Sequence, residues 1–139
     1  MNNEFFMREA IKEAIKAAKK GEVPVGAVAV AENKIIARAH NIREAKNNPL
    51  GHAEILLIEK IVRKKILPSW RFENISIYVT CEPCPMCMGA MREARVKDIF
   101  YGCGNPSLKN YANYKIKIEG GMLAGECGKL LSDFFKNIR

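Results

Sequence analysis

The chain has 139 residues, 48% of them hydrophobic, which suits one domain with a buried core. It contains no apolar run of about eighteen residues, which excludes a membrane-spanning helix. Its five cysteines are odd in number and crowded, which argues against a secreted disulfide framework. The start of the chain lacks the zones of a signal peptide, so we expect a cytoplasmic protein with no membrane partner.

The net charge of +8 attracts polyanions, and nucleic acid above all. Lysines that only solvate the surface would explain the same charge. Several of them lie near predicted helix C-termini, where the helix dipole favours positive charge without any ligand. Charge alone therefore leaves a nucleic-acid partner open.

The first half of the chain shows one helix and a hairpin. Apolar residues at 3.6-residue spacing predict a helix over 3–20. Short apolar runs predict strands over 25–31 and 35–40, and the Glu32-Asn33 turn between them predicts a hairpin. A polar loop over 41–51 follows.

The remaining elements alternate between helix and strand. They are helix 52–65, strand 75–80, helix 84–94, strand 98–102, a weaker strand 114–118 and helix 123–138. This alternation favours a layered α/β fold, and we expect one domain over 1–139. The apolar stripe of the last helix is most simply explained as core packing, and a dimer interface is the alternative.

Two short motifs carry the chemistry. His52-Ala53-Glu54 is followed at a distance by Pro83-Cys84-Pro85-Met86-Cys87. The order H-x-E, then P-C-x-x-C, is the signature of zinc deaminases that act on bases. His52, Cys84 and Cys87 give three ligands for one Zn²⁺ per chain and leave the fourth tetrahedral position open, as catalytic zinc sites do.

The predicted local structure suits these roles. His52 and Cys84 start two helices, whose partial positive charge would stabilise the thiolates. Glu54 can lie near the metal without binding it, accept a proton from the activated water and deliver it to the base. Cys81 could instead be a fourth ligand, which would make the zinc structural. Val25 and Ala53 are small enough to wall a base pocket beside the metal.

These motifs resemble the cytidine deaminase-like superfamily. The stretch Glu22-Val23-Pro24-Val25-Gly26-Ala27-Val28 is similar to the first strand of the bacterial tRNA-specific adenosine deaminases, and the last helix is similar to theirs. The resemblance implies a three-layer α/β/α sandwich with a five-stranded mixed sheet, and a homodimer. It also implies that Asn41 binds the base.

The chain departs from those tRNA enzymes in two places. Leu50-Gly51 stands before His52 where they tend to have Thr-Ala, and segment 103–115 is short and altered. The run from Cys81 to Cys87 looks equally like guanine deaminases, and the short segment is similar to free cytosine deaminases. The resemblance therefore fixes the chemistry better than the substrate.

Three functions follow. The first is conversion of the wobble adenosine of tRNA to inosine, with the anticodon loop as partner and Lys129, Lys136 and Arg139 meeting phosphates. The second is deamination of a small molecule, namely a free base such as cytosine or guanine, or a nucleoside. A small-molecule pocket needs no basic surface. The third is a non-catalytic zinc-stabilised binding module, which has no need of Glu54.

Overall fold

The computed structural model describes residues 3–105 and 116–137. In chain order the elements are α1 (Asn3–Lys19), β1 (Gly26–Ala31), β2 (Lys34–His40), α2 (Ala53–Arg63), β3 (Ser76–Cys81), α3 (Pro85–Glu93), β4 (Asp98–Cys103), β5 (Lys117–Glu119) and α4 (Ala124–Asn137). The predicted elements are all found, with small differences at their ends. Residues 114 and 115 of the predicted fifth strand, and residue 138 of the last helix, lie outside the described residues.

The five strands form one mixed sheet in the order β2-β1-β3-β4-β5. β1 is antiparallel to β2 and to β3, whereas β4 is parallel to both β3 and β5. The β1–β2 hairpin turns at Glu32 and Asn33, whose φ angles of 50° and 63° are those that a tight type I′ hairpin turn demands.

Helices cover both faces of the sheet. On one face, Phe6, Met7 and Ala10 of α1 pack with Tyr78 and with Cys127 of α4. On the other face, residues of α2 and α3 pack against alternate residues of β1, β3 and β4. The three-layer α/β/α sandwich with a five-stranded mixed sheet is thus confirmed.

The apolar stripe of α4 is core packing only in its first half. Cys127 is buried against β4, where Gly102 has no Cβ that would collide with the cysteine sulfur. Leu131 and Phe135 instead line a surface cavity, and Phe135 is 45% exposed. The prediction of core packing was wrong for this half, since these two side chains border a cavity and not the core.

One edge of the sandwich gathers the motif residues. β3 and β4 end at this edge, and α2 and α3 begin there. The loop 41–51 crosses the same edge and is closed by a bond from the Ile42 N–H to the Gly51 carbonyl. Gly51 is needed at this point because a Cβ would collide with the backbone of Ile42. Within the described ranges, no helix is long and apolar enough to cross a membrane.

Candidate active site

His52 and Cys84 occupy equivalent positions on two helices. Each is the N-cap residue of its helix, with extended backbone and no side-chain capping bond. Pro85 then occupies the first turn of α3, where a missing amide hydrogen costs nothing. Because neither side chain caps its own helix, both remain available at the helix ends.

Cys87 lies one turn into α3 and completes the group. The Nδ1 atom of His52 is 3.7 Å from the sulfur of Cys84 and 3.6 Å from that of Cys87. A tetrahedral zinc ion with ordinary bond lengths to sulfur and nitrogen would separate these ligand atoms by about 3.5 Å. The three side chains therefore fit one zinc ion, with Nδ1 as the histidine ligand.

The surroundings of the ligands shift the pKa values of Cys87 and His52. Burial, together with the charges of Glu54 and Cys84, raises the pKa of the Cys87 thiol. The N-termini of the two helices favour the thiolates, and the loss of solvent around Cys87 acts in the opposite direction. Burial and the nearby Arg43 lower the pKa of His52, which favours the neutral imidazole that metals bind.

Glu54 lies beside the ligand group and is only 4% exposed. Burial raises the pKa of Glu54 to about 7, although hydrogen bonding to its own backbone N–H and to Cys87 opposes the rise. A carboxyl group that titrates near neutral pH can both accept and release a proton under physiological conditions. This is the property that a proton shuttle needs.

Asn41 follows β2 and reaches the start of α2. Its Oδ1 accepts a hydrogen bond of 2.8 Å from the N–H of Ala53, the first residue of that helix. Asn41 thus supplies the cap that His52 does not. Since Oδ1 is engaged, Asn41 offers a ligand chiefly the donor Nδ2.

A cavity of about 350 Å³ opens beside the ligand group, and we call it the deaminase cavity. It is lined by Val23, Val25, Asn41, Arg43, His52, Glu54, Cys81, Glu82, Cys84, Gly104, Asn105, Leu131 and Phe135. Val25 is in the wall, as expected. Ala53 is fully buried and is not among the lining residues, so its place at the site is that of a backbone N–H.

Sequence reasoning missed Arg43 and Phe135 as cavity residues. Both also line a neighbouring cavity of about 330 Å³, so the two cavities adjoin along these side chains. Arg43 stands two residues after Asn41, a proximity that could have indicated it. Phe135 continues the apolar stripe of α4, and nothing in that pattern distinguishes a cavity residue from a core residue.

Cys81 lies apart from the ligand group. In the portion of the chain that the structure describes, the group that can hold a metal consists of His52, Cys84 and Cys87. Cys81 is paired in register with Cys103 of β4, and the hydrogen bond between them raises the pKa of Cys81 and lowers that of Cys103 to about 7. His52 and Cys84 both line the deaminase cavity, so a metal ion held by the group would border that cavity.

The altered segment 103–115 is described only at its start. Gly104 and Asn105 line the deaminase cavity, and Glu82 accepts a hydrogen bond of 2.7 Å from the Asn105 N–H. Residues 106–115 lie outside the described residues, as does Arg139. The start of the segment is thus anchored at the site.

Glu22 holds the loop that carries Arg43. Its carboxylate is 2% exposed and accepts the backbone N–H groups of Arg43, Glu44 and Ala45 at 2.9, 3.1 and 2.9 Å. Burial alone would raise the pKa of Glu22, but these three donors outweigh it and lower the pKa. No motif in the sequence indicated this role, because the acceptor and its donors are about twenty residues apart.

Comparison with known proteins agrees with this site. A family model described as the cytidine and deoxycytidylate deaminase zinc-binding region matches residues 1–103. The tRNA-specific adenosine deaminase of Bacillus subtilis (strain 168) is 45% identical over 148 residues, which cover 99% of this chain and 91% of that protein.

Solved structures resemble the fold closely. A structure from studies of A-to-I editing by tRNA:A34 deaminases at the wobble position has a TM-score of 0.82 and 30% identity, covering 91% of this chain and 99% of that one. Guanine deaminase from Bacillus subtilis has a TM-score of 0.69 and 38% identity, covering 75% of this chain and 66% of that one. The chain therefore belongs to the family of zinc-binding cytidine and deoxycytidylate deaminases, and its His/Cys/Cys group makes it a zinc-dependent deaminase.

Proposed function

We propose that this protein deaminates the wobble adenosine of tRNA to inosine and releases ammonia. The likeness to tRNA-specific adenosine deaminase over 99% of the chain carries the choice of substrate. The space beside the deaminase cavity supports this choice of substrate. The adjoining cavity at Arg43 and Phe135 leaves room for nucleotides that remain joined to the target base.

In this proposal Glu54 is the catalytic proton shuttle. His52, Cys84 and Cys87 would hold the zinc ion, which would supply a Lewis acid that lowers the pKa of a water molecule. Glu54 accepts a proton from that water and passes it to the ring nitrogen next to the reacting carbon. It then assists the departure of the exocyclic amine as ammonia. Its burial keeps these transfers away from bulk solvent.

Asn41 and Val25 are the proposed base-binding residues. The Nδ2 donor of Asn41 can bind an acceptor on the base edge, while Oδ1 remains bonded to Ala53. Val25 offers an apolar wall on the same cavity. Ala53 takes part through its backbone, which fixes the position of the Asn41 amide.

The experiment that tests the function uses an anticodon stem-loop RNA with adenosine at the wobble position. Zinc-loaded protein and its Glu54→Ala variant are incubated with this RNA, which is then digested and analysed by mass spectrometry. We expect inosine with the unsubstituted protein alone, and equal zinc content in both proteins. Absence of inosine with zinc present would contradict the proposal.

A free base or nucleoside is the second candidate. The 38% identity to guanine deaminase favours it, as does the similarity of the stretch from Cys81 to Cys87. Guanine, cytosine and nucleosides would be supplied to the same two proteins, and ammonia would be measured. Release of ammonia from one of these, without inosine formation in RNA, would establish the second candidate.

We also propose that residues 1–139 act as one deaminase domain, as a homodimer, in the cytoplasm. Exposed apolar side chains on the α2 and α3 side, namely Leu50, Val62 and Met86, support an interface between two copies. Light scattering of the zinc-loaded protein tests this assembly, and a mass of one chain would contradict it.

A further inference from the structure

A third cavity lies on the other side of the loop 41–51 from the deaminase cavity. It has a volume of about 320 Å³ and is lined in part by Lys46 of the loop and by Lys60 and Arg63 of α2. We call it the basic cavity. Ile42 lines the basic cavity, whereas its neighbours Asn41 and Arg43 line the deaminase cavity. The two cavities are therefore separated by the thickness of one loop.

The positive charges of the basic cavity lack carboxylate partners. Among the described residues, no carboxylate oxygen lies within 4.0 Å of the charged groups of Lys46, Lys60 or Arg63. Lys60 is partly buried, and its ammonium donates to the backbone carbonyl of Arg38. That carbonyl satisfies one donor and neutralises no charge.

The acidic residues of the basic cavity compensate little of this charge. Glu13 is buried and already engaged, since its carboxylate contacts Lys16 at 2.8 Å, His40 at 3.0 Å and Arg38 at 3.4 Å. Glu59 is exposed on α2 and is one negative charge against three positive ones. Burial, followed by the charge of Lys64, lowers the pKa of Lys60, with Arg63 and Lys16 adding to the effect and Glu13 opposing it.

A cavity with an excess of positive charge suits a phosphate group. A bound phosphate would relieve the repulsion among the cations, and Arg63 could bind two of its oxygens at once. Arg43 and Lys46 continue the positive charge along the loop from one cavity to the other. An RNA strand that leaves the deaminase cavity can therefore reach the basic cavity by crossing this loop.

We propose that the basic cavity binds a backbone phosphate of the RNA substrate, at Lys46, Lys60 and Arg63. This inference rests on the proposed function and adds a second contact outside the deaminase cavity. Such a contact supplies affinity and orientation and carries no information about the base.

The test compares two double variants that remove the same charge. Lys46→Gln/Arg63→Gln neutralises two exposed residues of the basic cavity. Lys34→Gln/Lys97→Gln neutralises two exposed residues at the opposite end of the sheet. Binding of the fluorescent anticodon stem-loop is measured by anisotropy over a series of KCl concentrations, and the folding of each variant is checked by its melting temperature.

We expect the cavity variant to bind RNA more weakly and with a shallower salt dependence. The slope of log Kd against log [KCl] should fall by about 0.7 for each lost phosphate contact on a single strand. The control variant should keep the unsubstituted slope. The charge-preserving variant Lys46→Arg/Arg63→Lys should keep it too, and inosine formation at saturating RNA should be unchanged in the control variant.

Two results would overturn the inference while leaving the proposed function in place. One is inosine formation with equal slopes for the cavity and control variants. The other is loss of inorganic phosphate binding in the cavity variant without any change of the RNA slope, which would assign the cavity to free phosphate. If the unsubstituted protein neither bound the RNA nor made inosine, the proposed function would fail together with the inference.

Discussion

Asn41 has two polar side-chain atoms, and they serve different purposes. Oδ1 caps the first N–H of α2, which stabilises the helix that carries His52 and Glu54. Nδ2 remains the donor that can meet the substrate. In the proposed function, one residue thus links the stability of a helix to the recognition of a base.

We expect Asn41→Ala and Asn41→Asp to separate these two roles. The alanine variant loses the cap and should lose about 1 kcal/mol of unfolding free energy, in addition to substrate affinity. The aspartate variant keeps an acceptor for the Ala53 N–H but has no donor, so KM should rise at nearly unchanged stability. Asn47→Asp, on the same loop, controls for the added charge. An unchanged KM in Asn41→Asp would contradict the base-binding role.

Glu22 is ionised and buried, and its pKa is lowered by the backbone donors of the loop. A carboxyl group with a lowered pKa contributes stability above its unfolded pKa. That contribution disappears as the pH falls through its folded pKa. Below the ordinary pKa of a glutamate, the unfolding free energy should therefore fall more steeply with decreasing pH when Glu22 is present.

Glu22→Gln should lower the unfolding free energy at neutral pH by about 1–3 kcal/mol, since an amide has one acceptor oxygen and leaves a loop N–H unsatisfied. Its stability should also depend less on pH between neutrality and the acid transition. Denaturant unfolding at several pH values measures both. Glu44→Gln, on the exposed part of the loop, is the control. An identical acid limb in all three proteins would refute this account of Glu22.

At the level of the elements, α4 divides into a packing half and a cavity half. Cys127 packs against β4, whereas Phe135 lines two cavities while keeping 45% of its surface exposed. Phe5 on α1 offers a close match, because it is 52% exposed and lines none of the three cavities discussed above. Each of these two rings also packs edge-on against a neighbouring phenylalanine ring. The ring centroids are 5.4 Å apart for Phe135 and 5.5 Å apart for Phe5.

Phe135→Ala and Phe5→Ala should therefore differ in function and agree in stability. A half-exposed aromatic ring loses less on truncation than a buried one, for which about 3–5 kcal/mol is usual. We expect both variants to lose clearly less than that, and KM for the RNA to rise in Phe135→Ala alone. Steady-state kinetics with thermal melting tests this. Equal KM values would show that the cavity half of α4 does not contact the substrate.

For the molecule as a whole, the metal group joins two helices whose N-cap residues make no side-chain capping bond. His52 starts α2 and Cys84 starts α3, and burial disfavours the bare thiolate of Cys87. A ligand that binds only the folded state stabilises it by about 1.4 kcal/mol for each tenfold excess over its dissociation constant. Zinc should therefore stabilise the entire fold.

Removal of zinc by a chelator should lower the melting temperature, and added zinc should restore it. Cys84→Ser should reduce both the zinc content and this response, since a serine hydroxyl is a poor zinc ligand. Cys81→Ser, three residues away, should keep both, because Cys81 lies outside the ligand group. Metal analysis and thermal melting of the three proteins check this. Loss of zinc in Cys81→Ser would contradict this and indicate that Cys81 is a fourth ligand of a structural zinc ion.

The sequence by itself determined the element order, the metal group and the candidate for the proton shuttle. These features depend on local periodicity or on motifs, as with His52 and Glu54 at the start of one helix or Cys84 and Cys87 on one turn of another. Residues so close together have their relative positions set by the geometry of the helix itself.

Only the tertiary structure decided the remaining features of the site. In the folded chain the Glu22 carboxylate binds the loop of Arg43. Phe135 lines the deaminase cavity and does not pack in the core. Cys81 pairs with Cys103 and lies outside the metal group. It also collected Lys46, Lys60 and Arg63 around one cavity. Each of these contacts joins separate elements, so it depends on how helices and loops pack at the sheet edge, which local patterns do not encode.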